Sequence, residues 1–214
     1  MSIINQPPAV VHKLFGNSLW RSESVEGEQP RVFLTFDDGP VPEQTPWVLD
    51  VLDRYHVRGS FFLVGDNVHK YPDLLPEIRR RGHVVGNHTY NHMQLFKSSW
   101  KDYVDNIRKC DEVSGQLSFF RPPHGQMLPW RALQIERTHN MVFWDVMPAD
   151  YDSTLSVQEV FANVKRYVRN GSVIVLHDSI KAGERMRYTL QNSIEMLLKR
   201  GYTFATVDAA FKKK

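Results

Sequence analysis

No disulfide bond can form within this chain, because Cys110 is its only cysteine. That residue lies in a stretch with helical spacing of apolar residues and has no base beside it, so we expect it to pack rather than act as a nucleophile. No apolar run approaches the roughly 18 residues that identify a membrane-spanning helix. Residues 1–15 also lack the cationic start and long apolar core of a signal peptide, so we expect a cytoplasmic protein without a transmembrane segment.

Strong charge imbalance is absent as well. The hydrophobic content of 42% and the charged content of 24% are ordinary for a globular protein. The net charge is only +3, and its two basic runs, Arg79–Arg81 and Lys212–Lys214, are typical of solvated helix ends or tails. We therefore expect no nucleic-acid partner, and we expect one domain over 31–214 with residues 1–30 as an N-terminal extension packed on it. The sequence does not predict an oligomeric state.

Short apolar runs alternate with longer stretches of helical period. Such βα repetition with hydrophobic strands predicts a parallel sheet covered by helices. Seven or so units favour an α/β fold that closes as a distorted (β/α)7–8 barrel, and an open doubly wound sheet is the alternative. The predicted strands are 32–36, 60–65, 83–87, 118–120, 141–146, 172–177 and 202–207, and the predicted helices are 45–55, 72–82, 99–115, 129–139, 156–170 and 186–200.

Two histidines four residues apart, His88 and His92, follow the third predicted strand. Alone the pair is weak evidence, because the chain has nine histidines. Asp37 and Asp38, however, follow the first strand, and strand ends of a parallel barrel converge at one mouth. Either aspartate can complete a site of two histidines and one carboxylate for a divalent ion, with the other acting as a base. Taken alone, the Asp-Asp-Gly sequence is also typical of a plain turn.

Other strand ends carry charged or imidazole groups. Arg121 precedes two prolines, and this rigid loop suits a guanidinium that is held against a carboxylate, although a surface charge is the simpler interpretation. His177 is interpreted either as a half-buried histidine at a strand end or as a general acid whose second ring nitrogen Asp150 orients. Trp144 and Leu176 are most simply core residues, though each lies near the predicted mouth.

Five segments then show a resemblance to a known family. TFDDGP (35–40), HTYNH (88–92), RPPHG (121–125), WDVMPADY (144–151) and LHD (176–178) occur in this order. They resemble the motifs of the polysaccharide deacetylases, carbohydrate esterase family 4, also called the NodB-homology domain. The resemblance covers about residues 31–207. It implies a distorted (β/α) barrel and metal-dependent hydrolysis of an N-acetyl group on a sugar such as N-acetylglucosamine in an oligo- or polysaccharide.

The resemblance also implies roles for individual residues. Asp37 is the expected general base, and His177 is the expected general acid. Arg121 is expected to pair with Asp37, and Asp150 with His177. The expected metal ligands are Asp38, His88 and His92, and the expected ion is Zn²⁺, with Co²⁺ or Ni²⁺ able to replace it.

A substrate pocket is implied in the same way. Trp144 and Leu176 are expected to line the space for the acetate methyl group. The backbone amide near His124 is expected to stabilise the oxyanion, and His124, Pro123 and Tyr151 are expected to be part of the substrate pocket.

Two departures from the family motifs concern this pocket. His124 stands where the family usually has tyrosine, and Met147 and Tyr151 replace an aspartate and a tryptophan. The main alternative is a metal-dependent amidohydrolase acting on a non-sugar amide or cyclic imide, which would share every catalytic residue. A non-catalytic carbohydrate-binding protein is a second, although no predicted metal ligand is missing. A phosphate-ester hydrolase is disfavoured, because no glycine-rich phosphate loop is present.

Overall fold

A parallel seven-stranded sheet forms the centre of the molecule, for which a computed structural model describes residues 5–23 and 27–211. The strands follow the order β5-β4-β3-β2-β1-β6, and β7 pairs with the first residues of β1. Every pairing is parallel. The strands are β1 Arg31–Asp37, β2 Ser60–Leu63, β3 Val84–Asn87, β4 Phe119–Phe120, β5 Asn140–Met141, β6 Val173–His177 and β7 Thr203–Phe204.

Helices cover the sheet between successive strands. They are α1 Ala9–His12, α2 Thr45–Arg54, α3 Gly65–Lys70, α4 Leu74–Arg80, α5 Trp100–Ser114, α6 Pro129–Ile135, α7 Val157–Tyr167 and α8 Gly183–Lys199. Short 3₁₀ turns add Lys13–Phe15, Leu95–Lys97, Pro123–Gly125 and Val207–Ala210. Among the helices of the described ranges, none is long and apolar enough to cross a membrane.

The sheet curls until its two edges meet. The segment that follows β5 reaches β6 through an isolated parallel bridge between Val146 and Ile174. There the Val146 amide donates to the Val173 carbonyl at 3.0 Å, and the Val175 amide donates to the Val146 carbonyl at 3.0 Å. The predicted distorted α/β barrel is confirmed, with this narrow join as its irregular side.

The first strand is buried because four of its seven residues are apolar and because it pairs with β2, β6 and β7. Six of the seven residues of β1 are buried, as expected for a parallel strand with both faces covered. Its last residue, Asp37, pairs in register with Phe62 of β2 and His177 of β6. The register therefore places an aspartate and a histidine side by side at the carboxyl end of the sheet.

The N-terminal segment packs more deeply than its polar sequence indicates. Phe15, Leu19 and Trp20 are buried. The Trp20 ring stacks on Phe143 at 4.1 Å between centroids, and Leu19 forms a bridge with Val142. The boundary at residue 30 stays a prediction, and residues 1–4 and 24–26 of this segment lie outside the described ranges.

Several predicted elements differ from the structure in extent. The sequence did not predict the short helix α3. Its residues are mostly polar and begin with Gly65, so they show no helical spacing of apolar side chains. The predicted strand 141–146 is regular only at its start, because the chain then bends across to β6. At the end of α4, Arg80 and Arg81 both pair with Glu77 at 2.7 Å, and Arg81 also pairs with Asp50 and Asp53. The predicted basic tail, Lys212–Lys214, lies outside the described residues.

Candidate active site

Asp37 at the tip of β1 is held by a buried guanidinium. The Nη1 of Arg121 donates to Asp37 Oδ1 at 2.7 Å and to the Thr35 hydroxyl at 2.8 Å. The other nitrogens of Arg121 donate to the backbone carbonyls of Val142 and Phe143. A buried charge is tolerated only when it is paired and hydrogen-bonded, and this network satisfies both conditions.

Burial lowers the pKa of Arg121, yet Asp37 favours its charged form. Its guanidinium also lies over the Phe62 ring, 4.1 Å from the centroid. The side chain is fully buried, so the surface-charge interpretation of Arg121 is wrong. The pairing of Arg121 with Asp37 is present as the resemblance implied.

Asp38, His88 and His92 form a cluster next to this pair. One ligand atom of each lies within 4.8 Å of the other two. The Nε2 atoms of His92 and His88 lie 3.2 Å and 3.7 Å from Asp38 Oδ1. Burial by itself raises the pKa of Asp38, but the hydrogen bond from His92 and the charges of His177 and His88 outweigh it, so that this pKa is lowered.

The donor set fits a divalent cation. Asp38 Oδ1 is buried and accepts no well-aligned hydrogen bond within the described residues, yet two imidazole nitrogens face it, as expected of an oxygen that serves a metal. Burial lowers the pKa of His88 to about 4, so the ring is neutral at pH 7, which is the form that binds metals. Its Nδ1 lies 2.8 Å from the Arg121 carbonyl. That contact fixes Nδ1 as the protonated nitrogen and directs Nε2 toward Asp38.

The backbone around the cluster is strained. Asp38, Thr89, His92, His124 and Ala149 have φ values between 56° and 76°, and they make up five of the six non-glycine residues with positive φ in the described chain. Such conformations cost free energy and persist where the surrounding structure enforces them, often at functional sites. Four of the six belong to the cluster, adjoin it in sequence or contact it, and Ala149 directly precedes Asp150, which supports a functional role for this end of the barrel.

His177 and Asp150 form a second buried pair on the other side of Asp37. His177 Nδ1 lies 2.7 Å from Asp150 Oδ1, and the His177 amide donates to Asp150 Oδ2 at 2.8 Å. Burial favours a lower pKa for His177, but the carboxylate of Asp150, with smaller contributions from Asp38 and Asp37, raises the pKa to about 9. The imidazole is therefore protonated at neutral pH and available as an acid.

The expected pocket residues are spread around these groups. Trp144 is half-buried, and its indole covers Gly125, where an added Cβ would lie 2.3 Å from the ring. The Tyr151 ring meets His177 edge-on at 5.0 Å, and the His124 ring meets His92 in the same way at 4.6 Å. Pro123 is buried beside His124. Leu176 is fully buried in the main core cluster, so its predicted contact with an acetate methyl stays a prediction.

Asp178 is a neighbour that the sequence analysis did not assign. Its Oδ2 accepts a hydrogen bond of 2.5 Å from Thr45, while its buried Oδ1 has no hydrogen-bond partner in the described chain. Burial raises its pKa to about 8. A Cβ at Gly39 would lie 2.2 Å from Asp178, so glycine is required there. The quoted LHD segment contains this aspartate, and its position after a buried strand was the available signal.

Cys110 lies outside the site. Its thiol is buried, and burial raises its pKa to about 12. Such a thiol stays protonated and does not act as a nucleophile. The expectation that it packs is confirmed.

Comparisons with known proteins agree with this geometry. A family model described as polysaccharide deacetylase matches residues 24–144. A peptidoglycan-N-acetylglucosamine deacetylase of Bacillus cereus is 36% identical over 197 residues, covering 85% of this chain and 68% of that protein. A chitooligosaccharide deacetylase of Azorhizobium caulinodans is 27% identical over 176 residues, covering 78% of this chain and 82% of that protein.

A solved structure is similar over nearly the whole chain. The crystal structure of the Bc1960 peptidoglycan N-acetylglucosamine deacetylase, in complex with a naphthalenyl N-oxidanyl-benzamide, has a TM-score of 0.85 and 32% identity. The match covers 96% of this chain and 97% of that one. With the family model and the Bacillus cereus relative, it shows that the chain belongs to the polysaccharide deacetylase family, whose members are hydrolases acting on carbon–nitrogen bonds.

Proposed function

We propose that this protein is a metal-dependent hydrolase that removes N-acetyl groups from N-acetylglucosamine-containing oligo- or polysaccharide, of chitooligosaccharide or peptidoglycan type, and releases acetate. The observation that carries the proposal is the arrangement at the carboxyl end of the barrel. A carboxylate paired with Arg121, a cluster of Asp38, His88 and His92, and a protonated His177 all surround one position. An amide hydrolase requires a base, an acid and a stabilised oxyanion.

Asp37 is suited to act as the base. Its Oδ1 is occupied by Arg121 at 2.7 Å, while its Oδ2 lies 3.9 Å from His88 Nε2, on the side of the histidine cluster. One oxygen is thus held in place and the other faces the site. In this position Asp37 removes a proton from the attacking water.

His177 is suited to act as the acid. With a pKa raised to about 9 by Asp150, it holds a proton at neutral pH. Its Nδ1 is engaged by Asp150, so Nε2 is the atom that donates to the departing amine nitrogen. No covalent intermediate is required, which agrees with the inert thiol of Cys110.

Asp38, His88 and His92 are the residues that hold the ion. When bound, a divalent cation supplies Lewis-acid polarisation of the acetyl carbonyl and lowers the pKa of water toward about 7. Zinc is proposed for this set of two histidines and one carboxylate, and Co²⁺ or Ni²⁺ suits the same donors.

The backbone amide of His124 is proposed as a second oxyanion donor. The next two amides are engaged, because Gly125 and Gln126 donate to the carbonyls of Pro122 and Pro123. The His124 amide has no acceptor in the described part of the chain, and the positive φ of 58° fixes its direction.

The test is acetate release from N-acetylglucosamine oligomers and from peptidoglycan fragments by the purified protein. The protein is measured after chelation and again after zinc or cobalt is returned, with His92→Ala as the matched variant that lacks one ligand. We expect chelation to abolish release, metal to restore it, and His92→Ala to lose both metal and activity.

The alternatives give different results in the same assay. Hydrolysis of non-sugar amides or cyclic imides, without acetate release from any sugar, would support the amidohydrolase instead. Oligosaccharide binding without any hydrolysis would support a carbohydrate-binding protein. Full zinc stoichiometry in a folded His92→Ala protein would show that the ligand assignment is wrong.

A further inference from the structure

A series of buried polar contacts joins the outer surface of the barrel to the loop that carries His88 and His92. A cavity of about 460 Å³ lies between α5 and the end of α6, and Asp111 and His139 form part of its wall. The Nε2 of His139 lies 3.0 Å from Asp111 Oδ2, and these side chains are only 4% and 11% exposed. The other oxygen of Asp111 accepts a hydrogen bond of 2.9 Å from Asn87 Nδ2. Asn87 directly precedes His88.

Asn87 holds the backbone between the two histidines. Its Oδ1 accepts a hydrogen bond of 2.8 Å from the Thr89 amide, and its Nδ2 also donates to the Ile107 carbonyl at 2.8 Å. Thr89 has a φ of 65°, which is unfavourable for a β-branched residue. The bond from Asn87 therefore stabilises a strained conformation that sets the path of the chain from His88 to His92.

The role of Asp111 follows from the chemistry of the Asn87 amide. An asparagine side chain has one end that donates and one end that accepts, and a flip by 180° exchanges them. A carboxylate and a backbone carbonyl only accept hydrogen bonds, so Asp111, together with the Ile107 carbonyl, selects the orientation in which Nδ2 points toward them. That orientation leaves Oδ1 facing the Thr89 amide. In the flipped orientation the side-chain Nδ2 of Asn87 would face the backbone N–H of Thr89, and two donors would oppose each other.

His139 completes this arrangement from the cavity side. Its Nδ1 lies 2.9 Å from the Thr138 hydroxyl, and its Nε2 engages the second oxygen of Asp111. Both oxygens of the carboxylate then have partners, which fixes its plane. Within the described residues, no hydrogen bond or ion pair joins Asp111 or His139 to the cluster of Asp38, His88 and His92.

We propose that Asp111 and His139 are positioning residues for the metal site. They fix the Asn87 amide, and through it the left-handed conformation of Thr89 and the spacing of His88 and His92. The metal part of this inference rests on the proposed function, whereas the conformation of Thr89 is measurable without any metal.

Three variants separate positioning from general stability. Asp111→Ala removes the acceptor, and Asp111→Asn keeps an acceptor oxygen that the Asn87 amide can use. Ile107→Val is the matched control, because it trims a buried side chain in the same helix and cavity while leaving the carbonyl that Asn87 contacts. All three are compared as folded proteins by circular dichroism.

The first readout is hydrogen exchange of the metal-free protein across residues 88–93. We expect Asp111→Ala to increase exchange of the Thr89 amide about tenfold or more, because its hydrogen bond opens more often. Asp111→Asn and Ile107→Val should stay within about twofold of the unmodified protein. Unchanged exchange in a folded Asp111→Ala protein would overturn the proposal. If that variant does not fold, His139→Ala decides, with faster Thr89 exchange in support and unchanged exchange against.

The second readout is Co²⁺ binding, followed by affinity and by the visible absorption spectrum. Substitution of a residue that orients the metal ligands typically weakens metal binding by about 10–100-fold. We expect a loss at the lower end of that range and an altered spectrum for Asp111→Ala only. Equal affinity and an identical spectrum in all variants would remove Asp111 from the metal site. If the unmodified protein binds no cobalt, the proposed function fails, while the exchange data still test the contact with Asn87.

Discussion

Two adjacent aspartates carry different contacts, and this difference is the central feature at the residue scale. Asp37 is bound to Arg121 inside the barrel, whereas Asp38 turns out toward the histidines in a left-handed conformation. The Asn67 side chain also donates to the Asp38 carbonyl at 2.8 Å. The strand therefore ends at Asp37, and a sharp turn sends the next carboxylate to a different partner.

Asp37→Asn tests this division. The asparagine oxygen can still accept from Arg121, so the buried guanidinium keeps its hydrogen bond and the protein should fold. We expect turnover to fall by about 10²–10⁴-fold, which is typical for loss of a general base. Zinc should remain bound, because Asp38, His88 and His92 are unchanged. Metal content is measured beside acetate release, and loss of zinc from the folded variant would contradict the separate roles.

The ionisation of His177 leads to a prediction about pH. Its pKa is raised to about 9, so the acid form is complete near neutral pH and is lost as pH rises through that value. A bound cation offsets the contribution of Asp38, so we expect the alkaline limb of kcat at about pH 9 or somewhat below it. In Asp150→Asn the main charge that raises this pKa is absent, so the limb should move to lower pH. An alkaline limb of kcat at the same pH in this variant would show that Asp150 does not set the pKa of the general acid.

At the scale of elements, the site residues at the ends of strands were predictable from the sequence, whereas the polar contacts that hold them were not. Asp37, His88 and His177 each follow an apolar run whose length and flanks identify a buried strand. The bond between Thr45 and Asp178 joins residues 133 positions apart, and no local pattern signals such a pairing. The same holds for α3, which has a polar sequence and is stabilised by its surroundings. Sequence patterns report burial and period, whereas long-range polar contacts depend on the finished fold.

Helix α7 begins with a cap that lies on the surface. Ser156 accepts from the Glu159 amide at 3.3 Å, and Glu159 accepts from the Ser156 amide at 2.8 Å, which forms a capping box. Ser156→Ala should lower the free energy of unfolding by about 1 kcal/mol and leave turnover unchanged. Urea unfolding measures this change, with the exposed Ser153→Ala as the control. An equal loss of unfolding free energy in both variants would show that the cap does not stabilise the helix.

At the scale of the whole molecule, the N-terminal segment contributes to the core beneath the site. The Trp20 ring stacks on Phe143, and the Phe143 carbonyl accepts a hydrogen bond of 2.8 Å from Arg121. The sequence indicated only a polar extension here, because its apolar residues show no regular period. Its packing thus reaches, through two contacts, the guanidinium that holds Asp37.

Trp20→Ala should therefore destabilise the entire fold. A buried tryptophan replaced by alanine typically costs about 3–5 kcal/mol, and we expect a loss of unfolding free energy in this range. Trp130→Ala is the matched control, because Trp130 is 59% exposed and its loss should change stability by less than about 0.5 kcal/mol. Unfolding in guanidinium chloride measures the free energy of unfolding of both variants. Similar stability of the two would mean that the segment rests on the barrel without supporting it.

The narrow join between Val146 and Ile174 lies directly below the pair formed by Asp150 and His177. Asp150 follows Val146 by four residues, and His177 follows Ile174 by three. Two short segments therefore lead from the join to the two members of the pair. Above it, the same two segments are tied again by the bond from the His177 amide to Asp150. Any opening of the barrel on this side would separate the acid from the carboxylate that keeps it protonated. The bond from the His177 amide to Asp150 therefore belongs both to the closure of the barrel and to the contact that favours the charged imidazole.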